Sequence, residues 1–483
     1  MSSIQRIART PKRYAKRDLS SFGLLALCLG LLLGACTPRL PKRVVLITID
    51  TLRLDTLAGR APGELLDKAL PADYPGFFQR EGEALVTSMP FTRQWAQAGA
   101  RFDRCYTVSP VTQPSHASLF TGLFPWQHGV TRNGQVLGAE YDTVAELLAR
   151  EGWKTSAVIA SYPLTKRMGL AQGFDRYVEE LRLSRASSEW NGVDVEKFYS
   201  LGKTVTDRAL KLLKEESGAD QFLWVHYFDP HAPYGDTDPD AKEITLAKLQ
   251  MSVAVAKHIE VARGGIKRAQ RLYEADAFSL DRELSRLLKR LRSDEDKYET
   301  HIVLVADHGE SFGEDDSLGH GRRLTEPQLR VPLVIRSTQL AKGLYPEPVG
   351  SVDVAKTLLA LGGLHSNQFK GRDLTTRRDS AELVAGMRTS LKGELVDNRV
   401  EGESKRLSGE RWFVFENGAL LSGNSEEAYW DDDETRPVSG EDGERAKRLF
   451  GLFRDQMTGA VELDDEETRA ALEALGYLGA EDE

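Results

Sequence analysis

Residues 44–50 read VVLITID. An unbroken, largely β-branched run without polar alternation is the pattern of a strand covered on both faces, as in the middle of a parallel sheet. It ends in Asp50. The carboxyl ends of such strands are where open α/β sheets hold their ligands, although a carboxylate there also serves as a turn residue. The same grammar recurs along the chain, in TSAVIA at 155–160, QFLWVH at 221–226, HIVLVA at 301–306 and VPLVI at 331–335. Helical segments fall between these runs. Thr143 and Glu146 make a capping box for a helix that stops at Gly152, residues 204–216 read as helix, and a further helix covers 353–361. Strand alternating with helix predicts an α/β sandwich.

The start of the chain belongs to a different category. Residues 1–35 carry six Lys or Arg, then an uncharged apolar stretch from Phe22 to Leu33, then small residues up to Cys36. That is a secretory signal, too short for a spanning helix and separate from the fold. Leu33-Gly34-Ala35-Cys36 resembles the lipobox of bacterial lipoproteins. The resemblance implies cleavage before Cys36, lipidation of its thiol, and an extracytoplasmic protein anchored through that lipid to a membrane of the bacterial cell envelope. Thr37 in place of Asp after the Cys implies the outer membrane. Residues 36–43 are then the lipidated Cys and a linker. Cys28 lies in the signal, so Cys105 is the one free thiol of the mature chain, no internal disulfide is possible, and the residue reads as a small buried hydrophobe. The net charge of the 483 residues is −9, and −14 remains once 1–35 are set aside. An acidic surface argues against nucleic acid as a partner.

Chemistry gathers at four places. In Ser109–Gly122, SPVTQPSHASLFTG, Pro114 suits the first position of a helix with Thr112 just before it. A phosphate or sulfate at that helix start would lie within reach of the Thr112 hydroxyl; a plain capped helix is the alternative. The loop after it offers His128 and Asn133, for which loop structure is the simpler job. YFDPHAPY places Asp229 and His231 on a Pro-bracketed loop after a strand, where the His can be a proton donor, a ligand or a turn residue. Asp307-His308-Gly309 sets two potential ligands at a strand end, with Gly permitting close approach of the backbone. His320 follows in GHGRR. Residues 238–295 are charged and mostly helical, with Leu280, Leu284, Leu287 and Leu291 as a core-facing stripe, while 240–265 reads as a lid or a partner surface without a way to choose.

In order and spacing, VVLITIDTLRLD, TQPSHASLFTG, FLWVHYFDPHAPY, VLVADHGESFGE, GHGRRLTEPQLRVPLVI and the closing LGYL resemble the sulfatase branch of the alkaline phosphatase superfamily. The likeness covers nearly all of 43–478. It implies an α/β/α sandwich on a large mixed, mostly parallel sheet at 44–375, with a smaller C-terminal α+β subdomain at 376–483.

The departures from that family carry the functional reading. Where sulfatases have C-x-P-S-R, whose Cys becomes formylglycine, this chain has Thr112 and His116, so formylglycine cannot form. Thr51 stands where many sulfatases have a second Asp, and His308 where they often have Asn or Gln. An imidazole in the ligand set suits Mn²⁺ or Zn²⁺ better than Ca²⁺. The set is similar to that of lipoteichoic acid synthases and phosphoethanolamine transferases, which use a Thr nucleophile on phosphoesters.

The resemblance thus implies one divalent metal held by Asp50, Thr112, Asp307 and His308, with Thr112 as nucleophile. It gives His231 to substrate binding or leaving-group protonation, and His116, His320 and Arg322 to the substrate. The expected activity is hydrolysis or transfer of phosphate or phosphonate esters, on an envelope lipid or glycan. Two alternatives stand beside it: a sulfatase acting without formylglycine, and a non-catalytic lipoprotein that binds a glycan or lipid.

Overall fold

The computed structural model describes residues 39–474, except 61–76, 81–82, 182–188, 191–192, 195–197, 217, 233, 236–258, 315–317, 377–383, 390–394, 398–404, 408–409, 417–418, 431–435 and 464. The expected signal at 1–35, Cys36, most of the 240–265 stretch and LGYL lie outside the described residues.

The central strand is β1, Lys42–Ile49, and its side chains from Val44 to Ile49 are fully buried. Around it the main sheet comprises β2 (Ala100–Tyr106), β3 (Lys154–Val158), β4 (Arg176–Val178), β5 (Gln221–Tyr227), β6 (Glu299–Ala306), β7 (Arg330–Arg336), β8 (Gly343–Tyr345) and β9 (Val349–Gly350). The strand order is β8-β2-β7-β6-β1-β5-β3-β4, with β9 also paired to β2. β1 lies between β5 and β6 and is parallel to both, which is why its sequence shows no alternation. β7 runs antiparallel to β6 and to β2, so the sheet is mixed but mostly parallel. The expected α/β/α sandwich is the observed one.

Two helical layers cover the sheet. On one face α1 (Pro90–Gln97) and α4 (Gly202–Glu215) pack against the long α5 (Ile259–Arg292). Leu280, Leu284, Leu287 and Leu291 of α5 are buried in the core, as their spacing predicts. On the other face α2 (Thr112–Thr121), α3 (Val144–Arg150) and α6 (Asp353–Gly362) pack together. The capping box of α3 forms as read, with the Glu146 amide donating to Thr143 Oγ1 and the Thr143 amide to the Glu146 carboxylate. Cys105 is buried on β2, and burial pushes its thiol well above the ordinary range.

A second, antiparallel sheet follows, ordered β10 (Val384–Thr389), β11 (Glu410–Glu416), β12 (Ala419–Gly423) and β13 (Ala428–Trp430), with α7 (Gly440–Asp455) packed on it. Its core joins Met387, Trp412 and Phe450 to Trp126 and Val352. From Pro41 onward the chain gathers into one compact unit. Among the described residues no helix is long and apolar enough to cross a membrane.

Candidate metal centre and nucleophile

β1 and β6 are neighbours in register, with Ile49 opposite Ala306, so Asp50 and Asp307 emerge side by side from adjacent strand ends. Asp307 Oδ1 is fully used: it accepts from the Thr51 amide at 3.2 Å and from the His308 amide at 2.7 Å. Its Oδ2 is not. That oxygen lies 3.5 Å from His308 Nε2, and Asp50 Oδ1 lies 3.6 Å from the same nitrogen. Asp50 Oδ1 and Oδ2 and Asp307 Oδ2 are buried without a hydrogen-bond partner. Gly309 permits the geometry, because a Cβ there would fall 2.0 Å from the Pro327 carbonyl oxygen.

The His308 ring has one orientation open to it. Nδ1 is 3.0 Å from the Gly309 carbonyl oxygen, which can only accept, so Nδ1 carries the hydrogen and the Nε2 lone pair faces the two carboxylates. Burial, and then the two carboxylates facing each other, push the Asp50 carboxyl well above its usual range, and burial does the same to Asp307. Burial and the neighbouring His320 hold His308 well below the ordinary histidine value. An imidazole lone pair and three unpaired carboxylate oxygens, all fully buried, make a site that lacks positive charge. Among the described residues Asp50, Asp307 and His308 can bring ligand atoms within 4.8 Å of one another, and a divalent cation fits that donor set.

Thr112 Oγ1 lies 3.4 Å from His308 Nε2, at the edge of the same cluster. The helix start differs from its sequence reading in two respects. The helix begins at Thr112 itself, with Val111 as its N-cap, and Pro114 falls two residues inside, where the first turn still needs no N–H from it. At the helix start, read as open to an anion, the Gln113 amide donates to Asn133 Oδ1 at 2.9 Å, so Asn133 helps to cap the helix.

The remaining histidines divide into two groups. His320 and His231 extend the cluster outward from His308, with ring centroids 4.4 Å apart from His308 to His320 and 5.0 Å from His320 to His231. His231 Nδ1 donates to the Ala232 carbonyl, and burial followed by His320 holds its ring well below the usual value. Arg322 follows Gly321, where a Cβ would lie 3.5 Å from the Val111 side chain and 3.7 Å from the Pro110 carbonyl oxygen, just before Thr112 in the chain. His116 sits on the inner side. Its Nδ1 donates to the Thr112 carbonyl at 2.8 Å and its Nε2 pairs with Thr48 Oγ1 at 3.0 Å, while Trp224 Nε1 donates to that same hydroxyl. Both ring nitrogens are therefore engaged within the protein, and burial lowers the ring to about 4. His128 is a buried structural residue, 2.9 Å from Ser118 Oγ. Asp229 caps α4 through the Gly202 amide at 2.7 Å.

Two contributors, Glu310 and His226, went unread in the sequence, and Thr51 was read there only as a departure from the family. Glu310, one residue past the Asp-His-Gly motif, is buried; one of its oxygens accepts from His320 Nδ1 at 3.0 Å and the other from the Tyr234 hydroxyl at 2.7 Å. His226, near the end of β5, is buried with Nε2 3.7 Å from Asp50 Oδ2. Thr51 has a left-handed backbone, φ 53°, and its carbonyl accepts from the Tyr273 hydroxyl. Proximity of Glu310 to the motif was the available signal for it; His226 had none beyond its place near a strand end.

The sulfatase family model matches residues 42–364, about two thirds of the chain and the whole of the site described above. The chain belongs to the sulfatase family. Its similarity extends to an uncharacterized sulfatase of Escherichia coli K12, 24% identical over 314 residues, covering 57% of this chain and 63% of that protein. A choline-sulfatase of Rhizobium meliloti is 23% identical over 350 residues, covering 60% and 66%. The match thus spans less than two thirds of the length of either relative. Among solved structures, the phosphonate monoester hydrolase of Silicibacter pomeroyi superposes with a TM-score of 0.61 at 18% identity, covering 87% of this chain and 99% of that one. The corresponding enzyme of Agrobacterium radiobacter gives 0.59 at 17% identity, covering 88% and 100%. At these identities the structures establish the shared fold alone.

Proposed function

We propose that this sulfatase-family chain is a metal-dependent hydrolase or transferase of phosphate or phosphonate esters, with Thr112 as the nucleophile. The observation that carries this reading is the position of Thr112 Oγ1, 3.4 Å from the His308 nitrogen that faces unpaired oxygens of two buried carboxylates. Asp50, Asp307 and His308 would hold one divalent ion with Thr112 beside it. The imidazole favours Mn²⁺ or Zn²⁺ over Ca²⁺. Such an ion supplies Lewis acidity, which lowers the pKa of a nearby hydroxyl and offsets charge on a transferring group.

The chain's own residues then have distinct tasks. Thr112 Oγ forms a bond to phosphorus as the ester oxygen leaves with its electron pair; the Thr112 proton is released and the leaving oxygen takes one up. In this reading His320, whose Nδ1 lies 3.0 Å from a Glu310 carboxylate oxygen, delivers that second proton. His231, kept uncharged by burial and then by the neighbouring His320, would bind the transferring group. Arg322 adds positive charge for an anionic substrate. His116 acts from behind by holding the Thr112 carbonyl. Water or an alcohol acceptor then cleaves the phospho-threonine and returns a proton to Oγ.

The sulfatase names of the curated relatives favour a second reading, hydrolysis of sulfate esters. Thr112 counts against it. A formylglycine hydrate expels sulfate by hemiacetal cleavage, and a threonine sulfate has no equivalent route. The signal, the Cys36 lipid anchor and an extracytoplasmic location on the bacterial envelope belong to the same proposal, with an envelope lipid or glycan as the substrate class.

The test is turnover of matched aryl phosphodiester, phosphonate and sulfate esters by metal-loaded protein and by Thr112→Ala. Loss of phosphoester or phosphonate turnover in the variant, with metal content unchanged, supports the reading. Persisting turnover in Thr112→Ala removes the nucleophile, and faster turnover of the sulfate by the wild type favours the second reading.

A further inference from the structure

His226 is fully buried, and its two ring nitrogens face different groups. The Ala160 amide donates to Nδ1 at 3.2 Å. A backbone amide can only donate, so Nδ1 presents its lone pair, and the neutral ring must carry its hydrogen on Nε2. Nε2 has no hydrogen-bond partner and lies 3.7 Å from Asp50 Oδ2, itself buried and unpaired. The same assignment excludes His226 as a metal ligand, because its inward nitrogen has no lone pair to give.

We infer that His226 is a positioning residue for the metal centre: its Nε2–H is directed at Asp50 Oδ2, fixing the carboxylate so that Oδ1 is turned to the ion-binding side beside His308 Nε2. Asp50 Oδ1 lies 3.6 Å from His308 Nε2 while Oδ2 lies on the His226 side, so the two carboxylate oxygens already divide between the two rings. Groups that orient ligands from behind in this way typically alter metal affinity 10- to 100-fold when removed. The fold supplies the placement. β5 is parallel to β1 with His226 opposite Thr48, and the loop after β3 brings the Ala160 amide to the far side of the ring. The inference rests on the proposed role of Asp50 as a ligand.

Two half-replacements of histidine separate the functions of the two nitrogens. His226→Asn keeps an acceptor for the Ala160 amide at the Nδ1 position and removes the group facing Asp50. His226→Gln reaches as far as Nε2 and restores a donor there. Metal-stripped full chain is titrated calorimetrically with MnCl₂ and separately with ZnSO₄, with circular dichroism confirming the fold of each variant. The expected result is one ion per wild-type chain, binding 10- to 100-fold weaker in His226→Asn, and affinity within about threefold of wild type in His226→Gln. Wild-type affinity in His226→Asn, or an equal loss in both variants, would overturn the assignment, since neither separates the Asp50-facing nitrogen from simple packing. Failure of the wild type to bind either ion defeats the metal-centre reading itself, and with it this inference, before any variant is compared.

Discussion

Asp50 and Asp307 lie side by side at the ends of adjacent parallel strands, and three of their four carboxylate oxygens are buried without a hydrogen bond. No hydrogen bond within the protein satisfies those oxygens, so without a bound cation the pair costs stability.

Replacing Asp307 by Asn removes one of these groups and keeps its shape and its acceptor for the Thr51 and His308 amides. Metal-free Asp307→Asn is therefore expected to melt higher than the metal-free wild type, by roughly 1–3 kcal/mol of stability. Added Mn²⁺ should raise the wild-type melting temperature and leave that of the variant unchanged. Thermal unfolding in chelator and in Mn²⁺ checks both halves; a variant that melts lower in chelator would mean the carboxylate is a structural asset.

Glu310 holds His320 at 3.0 Å through one oxygen and receives Tyr234 at 2.7 Å through the other. If His320 passes a proton to the leaving oxygen, the penalty for losing the carboxylate depends on how much that oxygen needs one. Glu310→Gln should cut kcat about 10- to 100-fold for an alkyl ester, within the usual range for acid catalysis, and only a few-fold for a 4-nitrophenyl ester. Tyr234→Phe, which leaves the carboxylate in place, should fall between the wild type and Glu310→Gln. Equal losses on both esters would point to a packing role.

Thr51 adopts φ 53°, a region that a β-branched side chain occupies at a cost of roughly 1–2 kcal/mol. Its Oγ1 is also buried without a partner, while its amide and carbonyl tie Asp307 to Tyr273 Oη. Thr51→Gly keeps both backbone bonds and relieves the side chain, so stability is expected to rise by up to about 1 kcal/mol after the glycine's unfolded-state entropy is counted. Chemical denaturation measures it. A loss instead would show that the methyl group's packing outweighs the strain.

Much of this was legible from sequence because it lies in local patterns. A strand buried on both faces has no alternation, so VVLITI and HIVLVA announced a parallel sheet, and Asp50, Asp307 and His308 announced themselves as polar residues at the ends of such runs. The start of α2 was misplaced because Pro114 is compatible with any position in the first turn, and the spacing alone does not choose among them. The partners of the site were hidden for a different reason. His226 to Asp50 is a contact between elements, made when β1 and β5 come into register, whereas Glu310 to His320 closes across the short antiparallel pairing of Ser311 and Phe312 with Gly319 and Leu318; apolar periodicity encodes neither. His116 shows the same limit: its position in the motif suggested the substrate, whereas the folded chain engages its nitrogens with Thr112 and Thr48.

Acid should destabilise the fold through histidines remote from the metal centre. His128 accepts from the Val130 amide at Nδ1, donates to Ser118 at Nε2, and burial lowers it to about 3 from 6.5. His301, beside Ser337, is likewise lowered by burial to about 4. Both are neutral in the fold and take a proton on unfolding once the pH is below 6.5. Their contribution is therefore complete above about pH 6.5 and is lost as the pH falls toward 3 to 4, at up to about 1.4 kcal/mol per pH unit for each ring. His128→Asn retains the acceptor for the Val130 amide and removes one titrating group. Urea unfolding at pH 7.5 and pH 5 should show the wild type losing about 1–2 kcal/mol more than this variant between the two conditions. Equal losses would mean that His128 takes its proton without unfolding, and that Ser118 and Val130 do not hold it neutral.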